Sequence, residues 1–312
     1  MRVRQDHAGP RFHETTQSPD HHTIMNSTPF VSDPVIGYLF VAIFGAVIGS
    51  FLSMLVYRLP IILKRQWERD CREALAQPAT DTAETFNIAW PASHCPQCHA
   101  PLKIRDNIPL FGYLLLRGRC RHCQAPIPRQ YILIEALTTL AAIVSVAHFG
   151  MGARGGFAFV LSAALIALTF IDRREQILPD TITLPLLWLG LLVNRAGLYA
   201  SLGSAVVGAA AAYMFLWLVF HVFRLITGKE GMGHGDFKLF ALGGAWLGWP
   251  LLPLVLLFAS LTGALYGGAL IVTGRQARSA PMPFGPFLCA AIWLALFYGW
   301  PLTTLYLRSA HG

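Results

Sequence analysis

Long apolar runs alternate with short polar connections over most of this 312-residue sequence. The first run is uncharged over residues 35–57, and its 23 residues are enough to cross a bilayer with some tilt. Two later runs, 182–200 and 237–249, are the weakest because they are short or interrupted by Gly and Pro. The other later runs are 131–149, 156–171, 203–226, 251–273 and 283–303. The pattern predicts an all-α polytopic membrane protein with about eight transmembrane helices.

The composition agrees with a membrane protein. Hydrophobic residues make up 54% of the chain and charged residues only 13%, a balance unlike that of soluble globular domains. The net charge is +8, but excess Lys and Arg in a membrane protein marks the cytoplasmic connections. We therefore predict the lipid bilayer as the surroundings of the chain and no nucleic-acid partner.

The basic residues are distributed unevenly between the connections. The polar segment after the first run carries 11 Lys or Arg between residues 58 and 129. The positive-inside rule places this segment in the cytoplasm and the N-terminus outside. With eight spans, the other basic connections fall on the same side. They contain Arg173, Arg174, Arg224, Lys229, Lys238, Arg275 and Arg278.

Two Cys-x-x-Cys pairs lie in this basic segment, with 21 residues between the pairs. Four thiolates at this spacing are typical of a tetrahedral zinc site, and a pair of redox dithiols is the alternative. The cytoplasm disfavours disulfides, and a closed site of four thiolates leaves no position for a reactive water. The sequence therefore predicts a structural, zinc-ribbon-like insertion. Its ligands are Cys95, Cys98, Cys120 and Cys123.

The remaining Cys and the nearby His residues are predicted to lie outside the metal coordination. Cys71 and Cys289 have no partner at metal-ligand spacing. His94, His99 and His122 flank the cysteines, and we expect them to contact the ligands or to lie on the surface, because four thiolates already satisfy zinc.

The runs and the metal segment divide the chain. Residues 1–34 are polar and rich in His, Thr and Pro, which is typical of disorder, and they lack the apolar core of a signal peptide. Met25 is an alternative translation start. The predicted segments after this tail are a first transmembrane helix at 35–57, a cytoplasmic zinc-binding segment at 58–130, a seven-helix domain at 131–305 and a short tail at 306–312.

Two acidic residues lie at the ends of apolar runs. Asp172 follows the third run, and Asp236 lies in the sequence Gly-His-Gly-Asp-Phe-Lys at the start of the sixth. An ionisable residue near membrane depth is a candidate functional residue. The topology places both at the cytoplasmic boundary, where two close carboxyl groups can share a proton and activate water. We predict a catalytic pair; for Asp172, a simple ion pair with the adjacent arginines is the alternative.

Other residues are candidates for supporting roles. Gly233 and Gly235 are expected to form a hinge beside the second aspartate, and Lys238 either orients the pair or is an ordinary positive-inside residue. Asp180 is predicted as the N-cap of the fourth run, with a catalytic role as the alternative. Glu135, in the second run, is expected to line the same cavity as the pair.

The motifs occur in an order that resembles one family, the bacterial type 4 prepilin peptidases, or prepilin leader peptidase/N-methyltransferases. The resemblance extends over nearly the whole chain after residue 35. The Gly-x-Gly-Asp motif alone is also found in intramembrane aspartyl proteases of the presenilin type, so the complete set carries the resemblance. Its matching segments are 49–52, 57–60, 95–98 leading to 106–109, 116–123, 171–172 with 178–180, 233–238 and Pro-Phe-Gly-Pro at 283–286.

The resemblance implies an eight-span aspartic peptidase of the bacterial inner membrane with Asp172 and Asp236 as catalytic residues. It implies that prepilins of type IV pili, or pseudopilins of type II secretion, lose their leader after a glycine on the cytoplasmic side. It further implies N-methylation of the new N-terminus with S-adenosylmethionine. The sequence contains no glycine-rich loop of the dinucleotide type, so the S-adenosylmethionine site stays unassigned, as does the oligomeric state.

The chain departs from the common family pattern at two places. Ser53 stands where family members commonly have Asn, and Ile132 stands where Pro often follows Tyr. Two other functions remain open from the residues alone. One is a proton-coupled transporter that uses intramembrane aspartates, for which short and interrupted spans are also typical. The other is a membrane zinc protein that acts only as an assembly partner.

Overall fold

The computed structural model describes residues 34–76, 86–229, 231–274 and 282–311. Within these ranges the protein is helical and has no β-strand, only two isolated bridges in the metal segment. The all-α prediction is confirmed. The predicted disordered tail lies outside the described residues except for Pro34.

Nine α-helices occur in the described ranges, and one of them, α2, is a short helix in the metal segment. The helices are α1 (Pro34–Ala74), α2 (Phe111–Leu115), α3 (Gln130–Phe149), α4 (Ala153–Glu175), α5 (Asp180–Arg195), α6 (Leu202–Thr227), α7 (His234–Leu247), α8 (Leu252–Val272) and α9 (Gly285–His311).

The long helices match the strong apolar runs. Among the described residues, six helices are long and apolar enough to cross a membrane: α1, α3, α4, α6, α8 and α9. The two weakest runs form α5 and α7, with 16 and 14 residues. At about 1.5 Å per residue, both helices are shorter than the roughly 30 Å hydrocarbon core of a bilayer.

Helix α1 is much longer than the predicted span of 35–57. It runs for 41 residues and passes through Pro60 into the polar segment. Proline removes one backbone hydrogen bond, but the residues that follow it are mostly good helix formers, so the helix continues. Arg58 is buried and donates hydrogen bonds to the carbonyl oxygens of Asn87, Ile88 and Pro91 at 3.2, 3.2 and 2.7 Å. The metal segment is thereby bound to the side of α1.

Helices α1 and α3 pack closely through small residues, as the glycines at the end of the first run predict. A Cβ atom added to Gly49 would lie 2.8 Å from the Cα atom of Glu135. Such a distance leaves no room for a side chain, and the backbones of the two helices approach each other there. The resulting contact places the start of α3 beside the half of α1 that leads into its polar extension.

Helix α7 lies at the centre of the bundle, where it packs against α5, α6 and α9. All its residues from Leu239 to Leu247 are buried. The crossing with α6 is tight, because a Cβ atom at Gly208 would stand 2.8 Å from the carbonyl oxygen of Gly244. On the side of α7 that faces α5, the side chain of Asn194 donates a hydrogen bond of 2.8 Å to the carbonyl oxygen of Ala245.

The outer surface of the bundle is apolar. Large side chains on the outer helices are exposed, among them Phe40 at 69%, Leu225 at 86% and Val272 at 87%. Exposed apolar surface of this extent is unfavourable in water and favourable against lipid. The bundle therefore has the surface of a multi-pass membrane protein, and its buried polar groups deserve a functional explanation.

Candidate active site and metal centre

The structure brings Asp172 and Asp236 together. Asp172 lies in the last turn of α4, and Asp236 lies in the first turn of α7. Both residues are buried, with exposed fractions of 5% and 7%, and their carboxyl groups are close enough to interact electrostatically. Two carboxyl groups that interact in this way disfavour each other's ionisation.

The start of α7 fixes the position of Asp236. Gly233 is the N-cap residue of this helix, and Asp236 is the third residue after it. An acidic side chain at that position reaches back to the N-cap, and the backbone N–H of Gly233 interacts with the Asp236 carboxyl group. The positive end of the helix dipole also favours negative charge there.

Asp172 has an oxygen atom with no protein partner. Its Oδ2 atom is buried, and it makes no hydrogen bond within the described part of the chain. Gly285, at the start of α9, lies directly against this carboxyl group, since a Cβ atom there would stand 2.5 Å from Oδ2. A buried oxygen without a partner is uncommon and costly in proteins unless water or a ligand satisfies it.

Gly285 is a site residue that the sequence reasoning did not assign. The segment 283–286 was noticed only as one of the matching motifs. The signal that was available is a glycine between Phe284 and Pro286 at the start of an apolar run. Its close approach to Asp172 depends on the packing of α9 against α4, which the sequence pattern does not reveal.

The connection between α4 and α5 forms one wall of the site. A Cβ atom at Gly235 would lie 2.9 Å from Cβ of Leu178, so this glycine is needed for the close packing of the loop on α7. Gly233 has more space, because its added Cβ would meet only Oδ2 of Asp236 at 3.9 Å. The hinge assigned to Gly233 and Gly235 stays a prediction.

Lys238 pairs with Asp180. Its Nζ atom lies 2.8 and 2.6 Å from the two carboxylate oxygens of Asp180, so the pair connects the first turns of α7 and α5. The prediction of Asp180 as an N-cap is wrong by one residue, since the cap position is Pro179 and Asp180 is the first residue of α5. Both carboxylate oxygens of Asp180 face the ammonium group of Lys238, so the partner of Lys238 is Asp180.

Glu135 does not share a cavity with the aspartates, contrary to expectation. Its Oε2 atom accepts a hydrogen bond of 2.7 Å from the backbone N–H of Leu110, in the metal segment. It lines a separate cavity between α1, α3 and the metal segment, and neither aspartate is among the residues that form it. The different location follows from the direction in which α3 presents this side chain, toward α1 and away from α7.

The four predicted metal ligands converge. Their Sγ atoms all lie within 4.8 Å of one another, with 3.8 Å between Cys95 and Cys123 and 3.9 Å between Cys98 and Cys120. Four sulfurs at about 2.3 Å from a tetrahedral zinc ion stand about 3.8 Å apart, so the geometry fits zinc. The predicted cluster of four cysteines is confirmed.

The two halves of the metal site have the same local structure. The backbone N–H of Cys95 donates to the carbonyl oxygen of Ala100, and that of Cys120 donates to Ala125, at 3.0 and 2.8 Å. In the second knuckle, hydrogen bonds from the backbone N–H groups of Cys123 and then His122 lower the pKa of Cys120 to about 6. Such a thiol ionises readily, and the thiolate is the form that binds metal.

The other residues near the metal site have the positions expected of them. The rings of His94 and His99 stack with their centroids 5.7 Å apart, and no His belongs to the cluster in the described residues. Cys71 is exposed on α1, while Cys289 is buried in α9. In the same segment Arg121 hydrogen-bonds to Asp106 and holds the pKa of that carboxyl group below its usual range.

We expect the double substitution Cys98→Ser and Cys120→Ser to abolish metal binding, because two of four thiolate ligands are lost. Bound zinc, measured by mass spectrometry of the purified protein, should fall from about one ion per chain to background. The segment 86–129 should then become sensitive to limited proteolysis, since the metal holds the two knuckles together. Cys71→Ser is the matched control and should leave both measurements unchanged; equal zinc in all three proteins would contradict the site.

Two models of known protein families match consecutive parts of the chain. The model of the bacterial peptidase A24 N-terminal domain matches residues 43–149, and that of the type IV leader peptidase family matches residues 159–268. The first match contains the four cysteines, and the second contains both aspartates. No solved structure matches the chain.

Curated relatives are similar over nearly the whole chain. A prepilin leader peptidase/N-methyltransferase of Aeromonas salmonicida is 47% identical over 278 residues, which cover 88% of this chain and 96% of the relative. Proteins of the same name from Stutzerimonas stutzeri and Burkholderia pseudomallei are 43% and 46% identical, covering 89% and 85% of this chain and 96% and 87% of the relatives. With the two family models and relatives of this identity and coverage, the chain belongs to the type IV leader peptidase family.

Proposed function

We propose that this protein is an aspartic endopeptidase of the bacterial inner membrane. It removes the leader of type IV prepilins or pseudopilins after a glycine, on the cytoplasmic side, and then N-methylates the new N-terminal residue with S-adenosylmethionine. The observation that carries the peptidase is the buried Asp172 and Asp236 pair at one end of the bundle. The names of the relatives support the substrate and the second activity.

The geometry is suited to water activation. One carboxyl group of the pair is ionised and takes a proton from water, while the protonated partner donates a hydrogen bond to the oxygen of the scissile carbonyl. The partnerless Oδ2 of Asp172 is the oxygen available to bind that water. After attack on the carbonyl carbon, the proton passes to the leaving amine as the C–N bond breaks.

The orientation follows from the charges and from the contacts between helices. Lys64 of α1 forms an ion pair with Glu175 of α4, so the polar extension of α1 and the end of α4 that carries Asp172 lie at the same end of the bundle. That end also carries the metal segment and its basic residues, which the positive-inside rule assigns to the cytoplasm. A leader in the cytoplasm and an apolar pilin helix in the bilayer would bring the scissile bond to the depth of the aspartates.

The methyl transfer needs a donor and an uncharged amine. S-adenosylmethionine, when bound, supplies a methyl group on a sulfonium: the N–C bond forms as the C–S bond breaks, sulfur keeps the electron pair, and the amine gives its proton to water. The protein must bind the donor near the end of the bundle where the new N-terminus arises. The transporter alternative has no support from the three relatives described above, which carry peptidase names.

The experiment that tests the function uses the purified protein in detergent with a prepilin substrate. Intact-mass analysis should show loss of the leader mass, followed by gain of one methyl group only when S-adenosylmethionine is added. A protein with both aspartates replaced by Asn serves as the control and should leave the prepilin uncut. An unchanged prepilin mass with the native protein would contradict the proposal.

We expect Lys238→Met to change leader cleavage by no more than about fivefold, because a partly exposed ion pair contributes at most about 1 kcal/mol. Its partner is Asp180, at 2.6 Å, on the rim of the site. The rate of cleavage should fall equally in Asp180→Asn, and the double variant should be no slower than either single variant. A loss as complete as that of the aspartate variants would instead give Lys238 a direct role in the chemistry.

A further inference from the structure

The cavity lined by Glu135 lies at the same end of the bundle as the aspartates. It has a volume of about 360 Å³ and is enclosed by α1, the start of α3 and the metal segment. This volume is in the range of sites for small molecules. The peptidase reaction does not use it, since neither Asp172 nor Asp236 lines it.

The lining of this cavity combines aromatic rings with charged groups of both signs. Tyr57, Phe86 and Tyr131 are the aromatic residues of the lining. Arginines lie against the rings of Tyr57 and Phe86, so the Tyr131 ring supplies the face on which a flat heterocycle can stack.

Glu135 contributes a half-buried carboxylate, of which one oxygen accepts the hydrogen bond from Leu110. The two arginines of the lining have other partners, since Arg121 pairs with Asp106 and Arg58 donates to backbone carbonyl oxygens. An aromatic face and a carboxylate in one pocket are groups that recognise an organic cation.

We propose that this cavity binds S-adenosylmethionine, with an aromatic face against the adenine and Glu135 near the cationic sulfonium. The inference rests on the methyltransferase half of the proposed function. It is carried by the match between the ligand, which joins a flat purine to a positive centre, and a cavity of suitable volume that offers an aromatic face and the Glu135 carboxylate, while its other acid, Asp106, pairs with Arg121.

The cavity is a neighbour of the peptidase site. The Tyr57 ring, which forms part of the cavity lining, lies 5.3 Å from the guanidinium carbon of Arg174. Arg174 is two residues beyond Asp172 on α4. Cleavage at the aspartates therefore produces the new N-terminus of the pilin at the same end of the bundle as the cavity. The contact between α1 and α4 separates the two.

The metal centre shapes this cavity. Cys95 and Cys120 are both among the lining residues, and the hydrogen bonds of Arg58 hold the segment against α1. Zinc then has an indirect role in methylation, because it holds in place the two cysteines that form part of the cavity wall. Removal of zinc from the purified protein should lower S-adenosylmethionine binding more strongly than leader cleavage.

The test compares binding of S-adenosylmethionine and of its uncharged-sulfur product, S-adenosylhomocysteine, by equilibrium dialysis with the full-length protein. Glu135→Gln keeps an oxygen for the Leu110 N–H and removes the charge. We expect this variant to weaken S-adenosylmethionine binding about tenfold and S-adenosylhomocysteine binding no more than about twofold, because only the former has the cationic sulfonium. Glu175→Gln is the matched control, an acid on α4 that does not line the cavity.

A second variant tests the space itself. Met54→Trp adds volume to a lining side chain of α1 and should reduce binding of both ligands, while bound zinc and leader cleavage stay at the native level. Ultraviolet crosslinking of labelled S-adenosylmethionine should mark peptides of α1, α3 or the metal segment. Native binding by both variants, or crosslinks confined to α7 and α9, would overturn the assignment. Absence of S-adenosylmethionine binding by the native protein would instead remove the methyltransferase half of the proposed function.

Discussion

Replacing either Asp172 or Asp236 with Asn is expected to lower the rate of leader cleavage by at least about 10³-fold. In the proposed mechanism each carboxyl group has a separate task, one as base toward water and the other as hydrogen-bond donor to the carbonyl oxygen. Asn is nearly isosteric and cannot take or give the proton, so neither task can be transferred. Cleavage of a prepilin by membranes containing each variant, followed by intact mass, measures the effect.

The variant proteins should remain inserted and folded, because an uncharged amide is easier to bury than a carboxylate. Zinc content and the amount of protein in the membrane check this point. Asp180→Asn is the matched control, since it removes a carboxylate at the same end of the bundle whose partner is Lys238. Full cleavage by either Asp172→Asn or Asp236→Asn would exclude the carboxyl pair.

Replacing Gly285 with Ala is expected to slow leader cleavage by about 100-fold, since a displacement of about 1 Å in a catalytic group is sufficient for such a loss. The new Cβ atom would stand 2.5 Å from Oδ2 of Asp172, and an ordinary contact needs at least 3.4 Å. Either the carboxyl group rotates or α9 moves away. Both displacements change the distance between the catalytic pair and the substrate carbonyl.

Kinetics of cleavage separate this effect from a general loss of structure. The value of kcat should fall while zinc binding and membrane insertion stay at the native level. Gly268→Ala, in α8, is the control, because no atom lies within 4 Å of the added Cβ there. A native rate for Gly285→Ala would show that Asp172 tolerates the contact and that the orientation of its Oδ2 is unimportant.

The apolar runs predicted the strong helices closely. The run 131–149 became Gln130–Phe149, and 203–226 became Leu202–Thr227, because a helix in lipid must carry apolar residues over its whole length. The weak runs at 182–200 and 237–249 became the short helices α5 and α7. They need fewer apolar residues because neighbouring helices cover much of their length.

Hydropathy indicates whether a residue lies in the membrane or in water, and it does not indicate the conformation of the backbone. For that reason the prediction ended the first helix at 57, where the charges begin, while α1 continues to Ala74. The residues after Pro60 leave the apolar run and keep their helix propensity. The length of this extension determines where the metal segment starts. The charge pattern predicted neither the length of the extension nor that starting point.

The pairing of the two aspartates could be predicted from the sequence because its signal is local: an acid at the end of an apolar run. The structure brings these acids together, and their catalytic role stays a prediction. The contacts of Lys238, Gly285 and Glu135 were not found, because each depends on how a helix is rotated about its axis. Lys238 of α7 forms an ion pair with Asp180 of α5, and Glu135 faces α1 and not α7. A single sequence contains no information that fixes these rotations to the required precision.

The central position of α7 has a consequence for the assembly of the protein in the membrane. A 14-residue helix with the acidic Asp236 in its first turn has little tendency to insert into the membrane by itself. Its stable location requires α6, whose Gly208 backbone meets Gly244, and α9, which covers the opposite face. Because α9 follows both aspartates in the chain, the proposed peptidase site is completed only after α9 has been synthesised. An unfinished chain in the membrane therefore has its aspartates but no assembled protease.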